Sequence, residues 1–355
     1  MPVPAAAFWL VAAAAGATVL PSLSPSVNVV QWIATVALVV ILFDGGVSIG
    51  WRRFRASALP IASLGVPGTF ATAGLLACFC HWALGLAWLT AGLVGGAVAP
   101  TDPAVMFSVF GDREVTGRTG TILEGESGAN DPVGIALMLG LIELATHAGE
   151  SFWVVVRVFT EQMAIGLAFG IAGGWLMQRT ARSVVLAGVV FTLAYLCHGS
   201  GFLAAFVAGI LAGDADSHRL DALRDRVASL AEVVVFLALG LTIDLGQLSL
   251  ARWGEGLAVA AVVALAARPV VVLALLAPTD LRLGERLFVG WGGLKGAVPI
   301  LLAAFALVHH VHDATRIYET VFVVVLASVV AQGGTIAPAA RRFGVELRPR
   351  GERSA

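Results

Sequence analysis

The sequence predicts an all-α polytopic membrane protein of about twelve transmembrane helices, built as an inverted repeat in which the fourth and eleventh spans are discontinuous and cross. Three observations lead there. Apolar residues make up 58% of the 355 positions and come in long blocks, while charged residues supply only 13%, well below the roughly one quarter usual in a soluble chain. Arginines fall in every second connection between those blocks. Two blocks are interrupted by prolines and glycines around a single charge. No block reads as a soluble domain, and a net charge of −1 leaves no field that would attract nucleic acid, so the lipid bilayer is the expected surroundings.

The spans lie near 3–20, 26–44, 57–80, 87–110, 118–145, 151–177, 183–198, 200–213, 227–245, 255–277, 286–308 and 316–338, giving a transmembrane unit over 1–338 and a short basic tail over 339–355. The first block is Ala-rich with no basic residue before it, which argues against a secretory signal peptide. Basic residues test the count. Arg52, Arg53 and Arg55 follow the second span, Arg113 and Arg118 the fourth, Arg179 and Arg182 the sixth. Arg219, Arg224 and Arg226 follow the eighth, Arg282 and Arg286 the tenth, and five arginines lie in the tail. The other connections hold only Arg252 and Arg316, with Arg157 just inside the sixth span, so both termini are expected in the cytoplasm. The Ala, Gly, Val and Arg bias suggests a GC-rich bacterial genome, and hence a bacterial inner membrane.

The fifth span carries Gly125-Glu126-Ser127-Gly128-Ala129-Asn130-Asp131-Pro132, two carboxylates and an amide within an apolar run. Ionisable groups at this depth are costly and usually face a cavity, marking an ion or proton path. On one helix Ser127 and Asp131 share a face, and Glu126 and Asn130 share the neighbouring one. Pro132 cannot donate a backbone bond and crowds the Gly128 carbonyl, and a freed carbonyl beside a hydroxyl and a carboxylate is a hard-cation site. The alternative is a proline kink with polar packing between helices.

The fourth span contains Ala99-Pro100-Thr101-Asp102-Pro103, and the eleventh contains Gly292-Gly293-Leu294-Lys295-Gly296-Ala297-Val298-Pro299. Broken helices in corresponding places of two halves point to a binding site, because their bare ends are satisfied there by ions or charged side chains. Seven spans apart, the two cross in opposite directions, and the opposite charges of Asp102 and Lys295 suit them to neutralise each other's half-helix ends. A Gly-rich packing kink is the alternative for the eleventh span. Arg268, before Pro269 in the tenth span, needs a carboxylate, and Glu126 is the available one; snorkelling to the interface is the alternative. Asp44 reads as a cap or loop residue closing the second span, and Glu232 and Asp244 as boundary residues of the ninth. His309 and His312 read as a solvated loop rather than a metal or pH-sensing patch, and His198 as part of a tight turn. Cys78, Cys80 and Cys197 show neither zinc spacing nor a disulfide framework.

On these residues the chain resembles the monovalent cation:proton antiporter family, in particular its bacterial NhaP-like branch. The matching stretches are Ile41-Leu42-Phe43-Asp44-Gly45-Gly46, Thr101-Asp102-Pro103, Glu126-Ser127 through Asn130-Asp131-Pro132, His198-Gly199-Ser200-Gly201, Ala267-Arg268-Pro269 and Trp291 to Pro299. The resemblance implies that Asp131 binds the cation or the proton, that Ser127 and Thr101 help to coordinate the ion, that Glu126 and Arg268 form a structural ion pair, and that Lys295 balances charge. Most relatives have arginine at Lys295, so here the bidentate fork is lost. Relatives usually carry one more helix ahead of the first span, in a region that commonly contributes to a dimer contact, and the resemblance leaves a homodimer open.

The expected activity is exchange of Na+ or K+ for H+ by competition for Asp131, with access alternating between the two sides and no cofactor or chemical step. Asn130 adds an amide oxygen without a second charge, and by family analogy exchangers with asparagine there tend to be electroneutral. A proton-uncoupled channel or a symporter is the rival among transporters. An intramembrane aspartyl enzyme would need a second carboxylate close to Asp131, and no Gly-x-Gly-Asp motif occurs.

Overall fold

Backbone groups in lipid must be satisfied within the segment, so the apolar blocks fold as helices. The computed structural model describes residues 5–20, 22, 25–102, 110, 113–115, 117–179, 184–213 and 221–349. Its helices are α1 (Ala5–Val19), α2 (Val27–Ala56), α3 (Ala58–Leu84), α4 (Trp88–Val98), α5 (Gly117–Thr146), α6 (Trp153–Arg179), α7 (Val184–Leu196) and α8 (Gly201–Ala212). They continue with α9 (Asp221–Gly240), α10 (Leu250–Leu275), α11 (Leu283–Gly292), α12 (Ala297–Val308) and α13 (Ala314–Arg342). Six of them, α2, α3, α5, α6, α10 and α13, are long and apolar enough to cross a membrane, and α11 with α12, bent by 41° at their break, makes a seventh candidate. Each of these falls on a block read as a span from the sequence.

Several expectations need correction. The second span does not stop near residue 44: α2 runs on to Ala56 and kinks at Gly50, whose φ of 67° lies in the left-handed region that glycine adopts freely. Asp44 therefore sits inside a helix, not at its cap. α9 starts at Asp221, which places Glu232 in mid-helix rather than at a boundary. The first helical part of the fourth span ends at Val98, and Thr101 and Asp102 have no regular structure. Pro103 of the predicted break lies outside the described residues. Among the described residues there is also one strand pair, β1 (Arg113–Val115) antiparallel to β2 (Leu347–Pro349), which joins the connection after the fourth span to the tail. Strands of three residues are too short to show an alternating pattern in the sequence.

The helices pack as two groups. In one, α2 lies against α8 and α9, α1 against α9, and α8 against α6 and α7. In the other, α3 packs on α4, α10 and α12 both pack on α13, and α5 rests on α3 and α4. The groups meet along a seam where α5 touches α2, α6 and α8, and α12 touches α2 and α9. Small residues let backbones approach within the first group: a Cβ on Gly46 of α2 would lie 2.9 Å from Ile210 N and overlap Phe206 O of α8. Gly46→Ala is expected to cost about 1–3 kcal/mol by forcing α2 and α8 apart. A lowered melting temperature of the detergent-purified protein, read by size-exclusion loss on heating, checks this.

Polar contacts divide between two faces. On the face that carries the tail, Arg53 reaches Thr121 at 3.2 Å and Thr119 donates to Glu285 at 3.2 Å. On the other, Arg157 pairs with Glu143 at 2.7 Å, and Glu255 is held by Arg252 at 2.7 Å and Arg316 at 2.6 Å.

Candidate functional site

The site is built on α5, which continues unbroken through Pro132. Glu126, Ser127, Asn130 and Asp131 are exposed by only 1%, 3%, 1% and 4%. Glycines on this helix allow neighbours to approach: a Cβ on Gly128 would fall 2.7 Å from Phe206 Cδ2 across the seam, and one on Gly125 would fall 2.9 Å from Ile61 Cγ1 of α3.

The interrupted fourth span lies against α5. Asn130 Nδ2 donates to Thr101 Oγ1 at 2.8 Å, the Thr101 N–H donates to Asn130 Oδ1 at 3.3 Å, and the Ser127 hydroxyl donates to the Thr101 carbonyl. Three groups that could hold a cation thus satisfy one another. Asn130 uses both ends of its amide to fix the chain just past Val98. Asp131, one residue on, differs: its Oδ1 is buried with no hydrogen-bond partner among the described residues. The charges that act on it are those of Asp102 and Lys295.

The two interruptions interlock. Lys295 Nζ donates to the Ala99 and Pro100 carbonyls at 2.9 and 3.0 Å, at the carboxyl end of α4, where helix carbonyls lack partners. Asp102 Oδ2 accepts from the Ala297 N–H at 3.4 Å, at the amino end of α12, and the Asp102 N–H donates to the Leu294 carbonyl at 2.8 Å. Each charge meets the opposite end of the other's half-helix dipole. Gly296 makes this approach possible, since a Cβ there would overlap the Asp102 carboxyl group.

Arg268 is 5% exposed and opens the second part of α10, directly after a π-helical turn over Val263–Ala267. Its Nη1 and Nη2 donate to Glu126 Oε1 and Oε2 at 2.7 and 2.9 Å, a bidentate pair, and Nη2 also reaches the Val289 carbonyl at 3.3 Å. A Cβ on Gly293 would overlap the guanidinium, so the glycines of the eleventh span make room for the Arg268 guanidinium and the Asp102 carboxylate.

Two supporting residues escaped the sequence reading. Ser328 Oγ accepts from the Lys295 N–H at 2.9 Å and donates to Gln332 Oε1 at 2.7 Å, while Gln332 Nε2 donates to the Trp291 carbonyl at 3.2 Å. Both sit on a π-helical turn of α13 over Ser328–Gln332, and uncharged residues in an apolar run give little signal. His309 Nδ1 caps its own helix through the Phe305 carbonyl at 2.8 Å, and no group of three or more His, Cys, Asp or Glu able to hold a metal occurs among the described residues.

Known proteins share this architecture. The solved sodium proton antiporter MjNhaP1 from Methanocaldococcus jannaschii, at pH 8, superposes with a TM-score of 0.77 over 95% of this chain and 92% of its own, at 21% identity, which establishes a common fold. The K(+)/H(+) antiporter NhaP of Alkalimonas amylolytica is 37% identical over 332 residues, and the K(+)/H(+) antiporter NhaP2 of Shewanella sp. (strain ANA-3) 32% identical over 336. The matches cover 89% and 90% of this chain, which spans 58% of the length of each relative. The Na(+)/H(+) antiporter NhaH of Halobacillus aidingensis is 25% identical over 334 residues, covering 87% of this chain and 82% of its own. The sequence matches the family described as "Sodium/hydrogen exchanger, transmembrane" over residues 2–342, and this multi-pass membrane chain therefore belongs to the sodium/hydrogen exchanger family.

Proposed function

We propose that the chain exchanges a monovalent cation, Na+ or K+, for H+ by letting the two compete for Asp131. The observation that carries this reading is the buried Oδ1 of Asp131, which has no hydrogen-bond partner among the described residues and lies one residue from a threonine, serine and asparagine cluster that presents hydroxyl, carbonyl and amide oxygens. A dehydrated cation brings one positive charge to that carboxylate and draws the Ser127 hydroxyl and Thr101 oxygens from their mutual bonds. A proton neutralises the same carboxylate and leaves those bonds closed. Occupancy by one excludes the other. Glu126 with Arg268, and Asp102 and Lys295 each on a half-helix end, are charges already engaged elsewhere. One carboxylate therefore changes charge per cycle, and the exchange is electroneutral.

Access alternates as the group containing α5 and the two breaks moves against the group containing α2 and α8. The division of packing into two groups with the site at their seam supports this motion. Twelve spans and an inverted repeat, with both termini cytoplasmic in a bacterial inner membrane, remain part of the proposal. Its support is the sorting of contacts: Arg53 with Thr121, Thr119 with Glu285 and β1 with β2 fall on one face, Arg157 with Glu143 and Arg316 with Glu255 on the other, as alternate connections require.

The test is dequenching of a pH-sensitive dye in proteoliposomes after adding NaCl or KCl, with and without an imposed voltage. Cation-driven proton release that is indifferent to voltage is expected. Cation flux without proton movement would identify a channel and overturn the reading.

A further inference from the structure

A fourth carboxylate lies at depth, outside the exchange site, the ion pair and the two helix ends. Glu232 is eleven residues into α9 from Asp221, about 16 Å along the axis at 1.5 Å per residue, and so near the middle of a span of ordinary length. It shares a helix face with Val235, Phe236 and Leu239, which are exposed by 2%, 0% and 0%, and not with Leu230 and Val234, exposed by 63% and 38%. That face looks into the protein. α9 belongs to the group opposite Asp131 and touches α12 across the seam. Glu232 Oε1 is buried and accepts no hydrogen bond among the described residues, and the charge of Asp102 in the facing group acts on the side chain. Asp102 is also a charge acting on Asp131, so Glu232 and Asp131 are linked electrostatically through the same carboxylate. An unpaired carboxylate held at this depth costs stability unless it acts on an ion.

We propose that Glu232 is a cation-capture residue, which draws the monovalent cation into the seam and passes it to Asp131 without itself exchanging. The proposal rests on Asp131 being the exchange site. Because Glu232 and Asp102 stand on different helix groups, their separation changes as the groups move, and capture is tied to one position of the seam.

Glu232→Gln is compared with the parent and with Asp131→Asn in proteoliposomes, over a series of NaCl and KCl concentrations. With Glu232→Gln the apparent KM for the cation should rise on the order of tenfold, and the maximal rate should stay within about twofold. Should Glu232→Gln not purify as a single species, Glu232→Asp takes its place; it keeps the charge but withdraws it by one methylene, and a smaller KM increase at an unchanged rate is expected. An unchanged KM overturns the proposal, as does loss of all turnover in a well-folded variant, since a capture residue weakens uptake without stopping it. If Asp131→Asn still exchanges, the fault lies in the exchange-site reading itself.

Discussion

Asp131→Asn is expected to abolish cation-driven proton release entirely while leaving the protein folded. The substitution keeps the shape of a side chain that is 4% exposed and replaces a carboxylate whose Oδ1 has no hydrogen-bond partner among the described residues with a neutral amide. No protein donor at that oxygen is lost, so stability should change little or rise, because burying a charge costs more than burying an amide. What disappears is the group able to be either ionised or protonated. Dequenching should fall to the level of empty liposomes with both NaCl and KCl, at every pH, while the melting temperature holds. Exchange that persists in this variant overturns competition at Asp131.

Glu126→Gln is the second large effect, and it separates stability from exchange. Glu126 is 1% exposed and takes both guanidinium nitrogens of Arg268 at 2.7 and 2.9 Å. Removing its charge leaves a buried arginine uncompensated, with one amide oxygen and the Val289 carbonyl at 3.3 Å to accept from it, a loss of about 3–5 kcal/mol for a broken buried pair. The variant should melt well below the parent in detergent and reach the membrane in lower amount. Glu126→Gln combined with Arg268→Gln removes both charges and should recover much of that loss. A Glu126→Gln protein as stable as the parent would show that the pair contributes nothing to the fold. Glu126→Asp should fall between, since the shorter side chain cannot present both oxygens to a fork fixed between α5 and α11.

These predictions also show how far the residues could be read without coordinates. Charge at depth within an apolar run, as at Glu126, Asp131, Arg268 and Lys295, stands out in a one-dimensional string because lipid makes it expensive. Pairing Arg268 with Glu126, 142 positions earlier, followed from counting the buried charges left to choose from. Glu232 failed the same test. Its neighbours Arg224 and Arg226 made the start of α9 look like a loop, although the helix begins at Asp221 and carries the glutamate well inside. Asp44 failed for a related reason, since Gly45 and Gly46 looked like a turn, whereas both lie inside α2 and Gly46 serves as a close contact between α2 and α8.

By itself the sequence determined that this is a helical membrane chain with interrupted helices and a few costly buried charges, because hydropathy and glycine–proline placement are local and additive along the chain. Only the tertiary structure decided how each charge is engaged and which oxygen is left without a partner among the described residues. Lys295 holds the end of α4, Asp102 the start of α12, Glu126 takes Arg268, Asn130 takes Thr101, and Asp131 Oδ1 has no partner among the described residues. Whether a buried oxygen finds a donor depends on atoms far apart in the chain lying within about 3 Å of each other, a distance that no pattern of neighbours along the sequence contains.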